Sequence, residues 1–476
     1  MVQSEFIAAL DLGTSRMIAM VGKKDEHGIL SVIASEKMDS GSCMRKGYVY
    51  NVGEAGTKVS QLISKMNDRL NPKIEKVYLG VGGQSLHLET YSVFRRVDGI
   101  VDDTVLLSMK KECNAYDPEL YEVIEILSPE YYLDNQLISK PKGLECKKIE
   151  ARYKLILGRP SIKNNLRTGV EQKARLKIAG YFTIPVASAE AVLVEREKEL
   201  GCALVEFGAG VTYVSVYKNS FLKHLVAIPL GGYVITKDIS TMNVLENEAE
   251  ALKVNWGSAL VELDDQVKIE DYPQIKINDL NDVIEARLDE IFANVLEQIK
   301  VSGFGDVLGA GIVITGGGSN LNKIADALRK KSGKEVRLAA VKKSLVNQAV
   351  DWANDNSNSA IVGILSLGKE NCAASAPVIS KDGQISIPGG DFGTIKPEVT
   401  ESNNNRTTAG SKNHTLEEDK KNNISSTDNR SAGTGNPGNR GKIMKNWKKK
   451  FENMSKSLFD DEFSKETTDN QKANDE

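Results

Sequence analysis

Residues 7–16 read Ile-Ala-Ala-Leu-Asp-Leu-Gly-Thr-Ser-Arg, an apolar run typical of a buried strand followed at once by a turn of small residues. The same order recurs in residues 204–212, Leu-Val-Glu-Phe-Gly-Ala-Gly-Val-Thr, and in residues 312–320, Ile-Val-Ile-Thr-Gly-Gly-Gly-Ser-Asn. Glycine lets the backbone turn sharply and bring its N–H groups within reach of phosphate oxygens. One such turn alone is more often a plain β-turn, but three together predict a phosphate-binding site.

Two common nucleotide motifs are excluded. No segment matches the P-loop pattern G-x-x-x-x-G-K-[ST]. The glycines between residues 201 and 210 also fail the dinucleotide-binding fingerprint, because their turn leads into another strand-like run, Tyr213–Tyr217, where that fingerprint requires a helix.

Outward from these turns, short apolar runs alternate with longer amphipathic segments from residue 7 to about 367. The pattern predicts strands at Val77–Gly80, Ala203–Glu206, Val211–Tyr217 and Ile312–Thr315. It predicts helices over Val52–Leu70, Lys163–Ala179, Asp279–Val301 and Leu321–Lys331. This alternation is typical of an α/β fold with largely covered sheets.

Composition excludes several classes of protein. A chain of 476 residues, 40% hydrophobic and 27% charged, is long enough for two or three domains. Lys and Arg number 62 against 65 Asp and Glu, and no basic patch carries stacking aromatics, so we expect no nucleic-acid partner. No apolar run approaches the roughly 20 residues of a transmembrane helix, and Glu5 within the first run argues against a signal peptide. Five scattered cysteines indicate reduced thiols in a cytoplasm.

The C-terminal quarter changes character. Between residues 400 and 441 the only aliphatic side chains larger than alanine are Leu416 and Ile424, too few to offset the entropy of ordering the segment. Beyond it, apolar residues recur at helical spacing while Lys445 and Lys449 belong to a stretch, 440–456, of net charge +6. The apolar residues are Ile443, Trp447, Phe451, Met454 and Leu458. Such a helix suits a membrane surface, a partner's groove or docking on its own protein, and the long polar tether argues against the last.

The three glycine turns resemble the phosphate-1, phosphate-2 and adenosine motifs of the actin-like ATPase superfamily. Further stretches narrow the similarity to the FtsA family of bacterial cell-division proteins: residues 185–193 (Pro-Val-Ala-Ser-Ala-Glu-Ala-Val-Leu), 229–232 with 236–239, and 249–253. The basic amphipathic segment after a polar tail is similar as well. The resemblance covers about residues 5–370 and the terminal segment.

The resemblance implies a duplicated, two-domain actin-like ATPase fold with a relocated small subdomain. The first domain core would comprise 5–82, 160–205 and 340–370, with the inserted subdomain at 83–159. The second domain core would comprise 206–233 and 302–339, with an outer lobe at 234–301. A disordered linker over 371–440 and an amphipathic membrane-targeting helix over 441–463 would follow.

The resemblance also implies ATP and Mg²⁺ as cofactors and gives each motif residue a role. Asp11 and Glu206 would approach the Mg²⁺ through water, and Glu190 takes the place of the superfamily's water-positioning residue. The phosphates would meet two turns, Gly13, Thr14 and Ser15 with Arg16 beside them, and Gly208, Ala209 and Gly210. Adenosine and α-phosphate would meet Gly316, Gly317, Gly318 and Ser319, with Glu250 and Lys253 bordering ribose and base.

The second phosphate motif departs from the superfamily pattern Asp-x-Gly-Gly-Gly-Thr-Thr. Glu206 stands in place of its aspartate, and Ala209 and Val211 occupy two further motif positions. The added methylene moves a carboxylate by over an ångström (~1.5 Å for one C–C bond) in a site that demands near-octahedral geometry. We therefore expect ATP to bind and its hydrolysis to be slow or absent.

By resemblance, the chain would polymerise and tie the tail peptide of the tubulin-like FtsZ to the anionic cytoplasmic face of the inner membrane at the division septum. Other proteins of the division machinery would be further partners. Three alternatives stay open at this point: a small-molecule kinase, an Hsp70-like chaperone, and a pilus-assembly relative that binds a membrane peptide. The first two would gain little from a tethered amphipathic helix, and the third would not need one.

Overall fold

The computed structural model describes residues 5–261, 268–347 and 355–374, together with two short strands at Val378–Ile379 and Ile385–Ser386. The predicted helix over 441–463 lies outside the described residues, and so does most of the predicted linker over 371–440. Residues 371–374, expected to begin that linker, instead pack on the first sheet. The Cys372 N–H donates to the Phe6 carbonyl oxygen at 2.7 Å, and Ala373 forms a β-bridge with Ile74.

Strands and helices alternate along the described chain. The strands before residue 200 are β1 Glu5–Leu12, β2 Arg16–Lys24, β3 Leu30–Asp39, β4 Met44–Arg45, β5 Tyr48–Val49, β6 Lys76–Val81, β7 His87–Ile100, β8 Glu122–Leu133, β9 Gln136–Ile138, β10 Glu145–Gly158 and β11 Lys177–Thr183. Those after it are β12 Cys202–Phe207, β13 Thr212–Lys218, β14 Phe221–Ile228, β15 Lys268–Ile269, β16 Tyr272–Lys276, β17 Ile312–Thr315, β18 Val336–Leu338, β19 Val378–Ile379 and β20 Ile385–Ser386. The helices are α1 Val52–Arg69, α2 Asp103–Asn114, α3 Pro160–Arg167, α4 Ile184–Val192, α5 Glu195–Leu200, α6 Gly232–Ser240, α7 Glu246–Trp256, α8 Ile277–Val301, α9 Ile324–Ser332 and α10 Ser359–Leu367.

The first sheet is built around β1 and has the order β11-β6-β1-β2-β3. β1 pairs antiparallel with β2 and parallel with β6, so the turn after β1 lies at the carboxyl edge of this sheet. Helices α4 and α10 cross beside it at close range, because a Cβ on Gly363 would lie 1.8 Å from the Ala187 carbonyl oxygen. This crossing fixes the wall of helices next to the first glycine turn.

The second sheet contains nine strands in the order β18-β17-β12-β13-β14-β7-β10-β8-β9. β12 pairs antiparallel with β13 and parallel with β17, and Glu206 lies between Tyr213 and Thr315 in this register. The second and third glycine turns therefore lie side by side at one edge of the sheet. Helix α8 packs on the strands β12, β13 and β17 through Leu280, Ile284 and Phe292, which are buried.

Strands β7, β8, β9 and β10 with helix α2 form a separately packed layer within residues 87–158. This layer meets strand β14 of the same sheet at one bridged pair, Val226 opposite His87. Just before the layer, the Leu86 carbonyl oxygen accepts from the Ala227 N–H at 3.1 Å. Its core has Val93, Met109 and Leu155 fully buried.

Most of the predicted elements are present, and one is wrong in part. The four predicted strands lie within β6, β12, β13 and β17 or differ from them by one residue. Helices α1 and α8 match their predicted ranges within two residues, and α9 begins three residues later than the predicted helix over Leu321–Lys331. The predicted helix over Lys163–Ala179 ends early: α3 and a π-helix at Thr168–Lys173 give way to strand β11. Pairing of β11 beside β6 overrides the local periodicity. Among the described residues, no helix combines the length and apolarity needed to span a membrane.

Candidate nucleotide-binding cleft

The three glycine turns open onto one cleft of about 560 Å³. Its walls come from both sheets, from the starts of α4 and α6, from α7 and from the segment before α10. Of the residues expected to contact nucleotide or Mg²⁺, the cleft is lined by Asp11, Gly13, Thr14, Ser15, Arg16, Glu206, Gly208, Ala209, Gly210, Glu250, Lys253, Gly316, Gly317 and Gly318. Residues separated by some 300 positions in sequence are thus brought to one site.

The first turn is a tight hairpin between β1 and β2. The Gly13 N–H donates to the Arg16 carbonyl oxygen at 3.0 Å, and a Cβ on Gly13 would lie 2.9 Å from that oxygen. Ser40 supports the turn from behind, because its Oγ donates to the Gly13 carbonyl oxygen at 2.7 Å and its N–H donates to that of Ser15 at 3.1 Å. The backbone of the turn is therefore held in place before any ligand binds.

The second turn is capped by the beginning of α6. The Gly208 N–H donates to the Val211 carbonyl oxygen at 2.9 Å within the turn. The Gly232 N–H donates to the Gly208 carbonyl oxygen at 3.0 Å, so the first residue of α6 is bonded directly to the turn. The positive end of the α6 dipole thus points toward the cleft, which favours an anion there.

The third turn requires glycine for a steric reason. Gly316 has φ +86°, and a Cβ on it would lie 2.5 Å from the Phe207 carbonyl oxygen in β12. The turn continues as a single 3-10 turn over Gly317–Asn320, and helix α9 follows at Ile324. The close approach to β12 brings this turn against the second one.

Two buried carboxyl groups lie at the base of the cleft. Burial raises the pKa of Asp11 to about 6, although the Arg16 guanidinium opposes the shift. Burial also raises the pKa of Glu206 to about 8; the nearby Ser188 hydroxyl opposes this shift and the Asp11 charge adds to it. The Glu206 Oε2 has no hydrogen-bond partner within the described residues. A buried acceptor without a donor, next to a second carboxylate, fits a hydrated divalent cation.

The described residues contain no cluster of three or more His, Cys, Asp or Glu side chains suited to binding a metal directly. A cation between Asp11 and Glu206 would therefore take most of its ligands from water and phosphate, as Mg²⁺ commonly does.

Glu250 and Lys253 on α7 form the part of the cleft wall that lies against the start of α6. The Lys253 Nζ donates to the Gly232 carbonyl oxygen at 3.0 Å, to Thr236 Oγ1 at 2.8 Å and to Glu250 Oε2 at 2.7 Å. This network fixes α7 to the start of α6, so that the lysine both holds the wall together and keeps a positive charge at the cleft.

Comparison with known proteins gives the family. The model of the family "Cell division protein FtsA" matches residues 203–363. The cell division protein FtsA of Porphyromonas gingivalis is 33% identical over 341 residues, which cover 68% of this chain and 71% of that protein. The chain belongs to the FtsA family. The FtsA of Pseudomonas aeruginosa is 26% identical over 412 residues, covering 84% of this chain and 96% of its own.

A solved structure shares the fold. The PilM-PilN type IV pilus biogenesis complex superposes with a TM-score of 0.55 at 14% identity, over 75% of this chain and 97% of the other. At this identity the likeness concerns the fold alone. It is the actin-like α/β ATPase fold, and the predicted fold class is confirmed.

Two residues expected at the site lie elsewhere in this FtsA-family chain. Glu190 does not line the cleft: its carboxylate lies 3.8 Å from Lys198 Nζ and 3.6 Å from Lys342 Nζ. Along α4, Ile184 lines the cleft and Ser188 lies one turn further on the same side, whereas Glu190 is about 200° round the helix from Ser188. The role given to Glu190 is therefore corrected to an ion pair on the opposite face.

Ser319 also points away from the cleft. Its side chain is buried, its Oγ donates to the Gly316 carbonyl oxygen at 2.7 Å, and it accepts from Asn356 Nδ2 at 3.2 Å. Ser319 therefore closes the third turn instead of contacting a ligand.

The cleft also contains residues that the sequence reasoning missed. Gly47 and Tyr213 line it, as does Asp355, which accepts from Asn320 Nδ2 at 3.1 Å. Burial would raise the pKa of Asp355, but hydrogen bonds from Ser357 and Asn320 hold it below the usual value. The Arg16 Nη2 donates to the Ser357 carbonyl oxygen at 3.0 Å, which joins the first turn to this segment. A signal for Gly47 exists in the Lys-Gly pair at 46–47, which forms the tip of the β4–β5 hairpin.

Proposed function

We propose that this FtsA-family chain binds ATP in the cleft, polymerises, and anchors FtsZ filaments to the cytoplasmic membrane at the division septum through its C-terminal amphipathic helix. The observation that carries the proposal is the convergence of three backbone turns, the start of α6 and two buried carboxyl groups on one cleft. Such an arrangement supplies N–H donors for phosphates and acceptors for a hydrated cation.

ATP would occupy the cleft with its phosphates between the first two turns. Residues 13–16 and 208–210 would bind the β- and γ-phosphates, and Asp11 and Glu206 would face the water shell of Mg²⁺. The cation would neutralise phosphate charge. Residues 316–318 would face adenosine, with Glu250 and Lys253 at the ribose and base.

Hydrolysis would be slow or absent for two reasons. Glu206 is one methylene longer than the motif's aspartate, which displaces its carboxylate in a site that demands near-octahedral geometry. Glu190 is paired with Lys198 and Lys342 on the opposite face of α4, away from any water beside the phosphates. Binding would then bias a conformational or polymerisation equilibrium more than drive chemistry.

The terminal segment would supply the membrane contact. The sequence places Trp447 and Phe451 with Ile443, Met454 and Leu458 within an arc of about 80° in an ideal helix. Such a helix would lie in the headgroup plane with its apolar side chains buried and with Lys445 and Lys449 near anionic lipid. Several molecules in one filament would strengthen the contact through avidity.

The chain would be divided into the domains that the resemblance implies, except that the linker would begin after residue 374. The outer lobe at 234–301 would bind the FtsZ tail peptide, and the inserted subdomain at 83–159 would take part in self-association. Contacts with other division proteins would follow from this position at the septum.

The proposal is tested by co-sedimentation of the full chain with anionic liposomes and FtsZ, with and without ATP. A chain ending at Arg440 should neither pellet nor carry FtsZ down, because it lacks the amphipathic segment. The variant Trp447→Glu with Phe451→Glu should also remain in the supernatant.

A matched control keeps the charge change and moves it off the apolar face. Asn446→Glu with Asn453→Glu adds the same two negative charges at positions that lie outside the apolar arc. This control should pellet more strongly than the double aromatic variant. Equal pelleting by the full chain and the chain ending at Arg440 would refute the anchor.

A further inference from the structure

The hydroxyl of Tyr213 lies where the first and second glycine turns meet the inserted layer of residues 87–158. Tyr213 is on β13, directly opposite Glu206 on β12. Its hydroxyl oxygen accepts from the Gly83 N–H at 2.7 Å. Beside it, the Gly47 N–H donates to Thr14 Oγ1 at 2.9 Å. One of these hydrogen bonds joins the segment after β6 to β13, and the other joins the β4–β5 hairpin to the first turn.

This junction is packed too tightly for any side chain at its glycines. A Cβ on Gly82 would lie 2.8 Å from the Tyr213 hydroxyl oxygen, and one on Gly47 would lie 3.1 Å from it. A Cβ on Gly210 would lie 2.6 Å from Thr14 Oγ1, so the two phosphate turns also touch each other here. Because these groups are in van der Waals contact, a displacement of either turn would also move the Tyr213 side chain.

The junction is also the root of the inserted layer. Gly83, with φ +147°, leads through three residues into β7. The chain returns along β10 to Gly158, and Ile162 at the start of α3 packs on both glycines: its Cδ1 would lie 2.6 Å from a Cβ on Gly83 and 3.4 Å from one on Gly158. Both ends of the layer therefore pack against Ile162, next to Gly83, whose N–H donates to the Tyr213 hydroxyl oxygen.

A second contact joins strand β8 of the layer to strand β14, the neighbour of β13. The Glu130 Oε2 in β8 lies 2.6 Å from Lys223 Nζ in β14, and its Oε1 lies 3.5 Å from Lys154 Nζ in β10. Glu130 is only 2% exposed. The layer is bonded to both halves of the chain, because Glu125 in β8 also accepts from the Thr183 N–H at 2.9 Å and from its hydroxyl at 2.6 Å at the end of β11. Relative motion of the two turns would therefore shift the layer.

We propose that Tyr213 is a positioning residue that transmits the nucleotide state of the phosphate turns to the inserted layer through its hydrogen bond with Gly83. The inference rests on the proposed function, because it requires ATP at those turns. When the triphosphate is bound, the two phosphate turns, Gly47 and Gly83 keep fixed positions relative to one another. The backbone N–H groups of the layer are then better protected from hydrogen exchange. Without the hydroxyl, the layer no longer responds to ATP, even at a concentration that saturates the variant's own site.

The test is hydrogen–deuterium exchange of the full chain with and without Mg–ATP, comparing wild type with Tyr213→Phe. Each protein is measured at a saturating ATP concentration taken from its own binding curve. We expect ATP to slow exchange over β7 and β10 in wild type by about three- to tenfold, the range that one hydrogen bond contributes. In Tyr213→Phe the difference between the two states should disappear over these strands.

Tyr78→Phe is the matched control. The Tyr78 hydroxyl oxygen is also an acceptor from backbone N–H groups, of Lys369 at 3.0 Å and Glu370 at 2.8 Å, but at a point outside the cleft. This variant loses comparable hydrogen bonds and should keep the ATP-dependent protection. Gly82→Ala, whose methyl group would displace the Tyr213 hydroxyl, should reproduce the loss, and it replaces Tyr213→Phe if that variant does not fold.

The outcomes separate this inference from the proposed function. Failure of wild type to bind ATP would overturn both. Binding without any change in exchange over residues 87–158 would overturn the coupling and leave ATP binding intact. Retention of the full ATP-dependent difference in both Tyr213→Phe and Gly82→Ala would show that another path carries it and would overturn the role of Tyr213.

Discussion

Replacement of Glu206 by glutamine should change how the stability of the nucleotide-free protein depends on pH. Burial raises the pKa of this carboxyl from 4.5 in the unfolded chain to about 8 in the fold. Between these values the folded protein retains a proton that the unfolded chain has released, so the free energy of unfolding falls as pH rises. At about 1.4 kcal/mol per pH unit, ionising Glu206 in place costs about 3 kcal/mol between about pH 5.5 and about pH 8.

The measurement is urea unfolding of the full chain and of Glu206→Gln at a series of pH values across that window. Glutamine cannot ionise, so the variant should lose about 3 kcal/mol less than wild type over the range. Asp238 has a pKa raised by burial as well, but both proteins contain it and its effect cancels in the difference. Asp11 interacts with Glu206 and has a pKa of about 6, so the two proteins are compared most directly above that pH.

The direction of the difference matters as much as its size. Wild type should approach the variant in stability toward acid and fall below it toward base. Parallel stability curves would refute the burial of an unpartnered carboxyl at this position, and with it the reasoning that the cleft base suits a hydrated cation.

Two further predictions concern the core and the chemistry. Asp238→Ala removes the carboxylate that pairs at 2.5 Å with the buried Arg287 guanidinium between α6 and α8, while Glu290 remains beside that guanidinium. The loss of this charged hydrogen bond should lower the free energy of unfolding by about 1.5–3 kcal/mol in urea. A loss below about 1 kcal/mol would mean that the pair is screened by solvent. Glu206→Asp restores the carboxylate length of the superfamily motif and should raise ATP turnover by about tenfold or more, whereas unchanged turnover would show that the extra methylene is not what slows hydrolysis.

The sequence was sufficient for the strands that carry the glycine turns. β12, β13 and β17 are buried apolar runs bounded by glycine or charge, and such runs need no tertiary information to be recognised. Strand β11 was missed because its residues continue the helical periodicity of the preceding segment, and only pairing beside β6 makes them a strand.

The sequence predicted the cleft residues well where the backbone forms the binding surface, and less well where a side chain does. The glycine positions follow from local turn chemistry, so nearly all of them line the cleft. Glu190 could not be placed without knowing the rotation of α4, because a shift of two residues reverses the face of a helix. Tyr213 and Asp355 carry no local signal that points to the cleft, because their positions there depend on contacts with residues distant in sequence, such as Gly83 and Asn320.

Calorimetric titration of the full chain with ATP, with and without Mg²⁺, tests the central claim most directly. Gly210→Ala is the informative variant, because its methyl group would lie 2.6 Å from Thr14 Oγ1 and separate the two phosphate turns, and Gly53→Ala is the control, with nothing closer than 3.7 Å. We predict one ATP site that Mg²⁺ strengthens, an affinity at least about tenfold weaker in Gly210→Ala, and wild-type affinity in Gly53→Ala. Absence of ATP binding by wild type, or equal affinity in Gly210→Ala, would contradict the assignment of this cleft to the nucleotide.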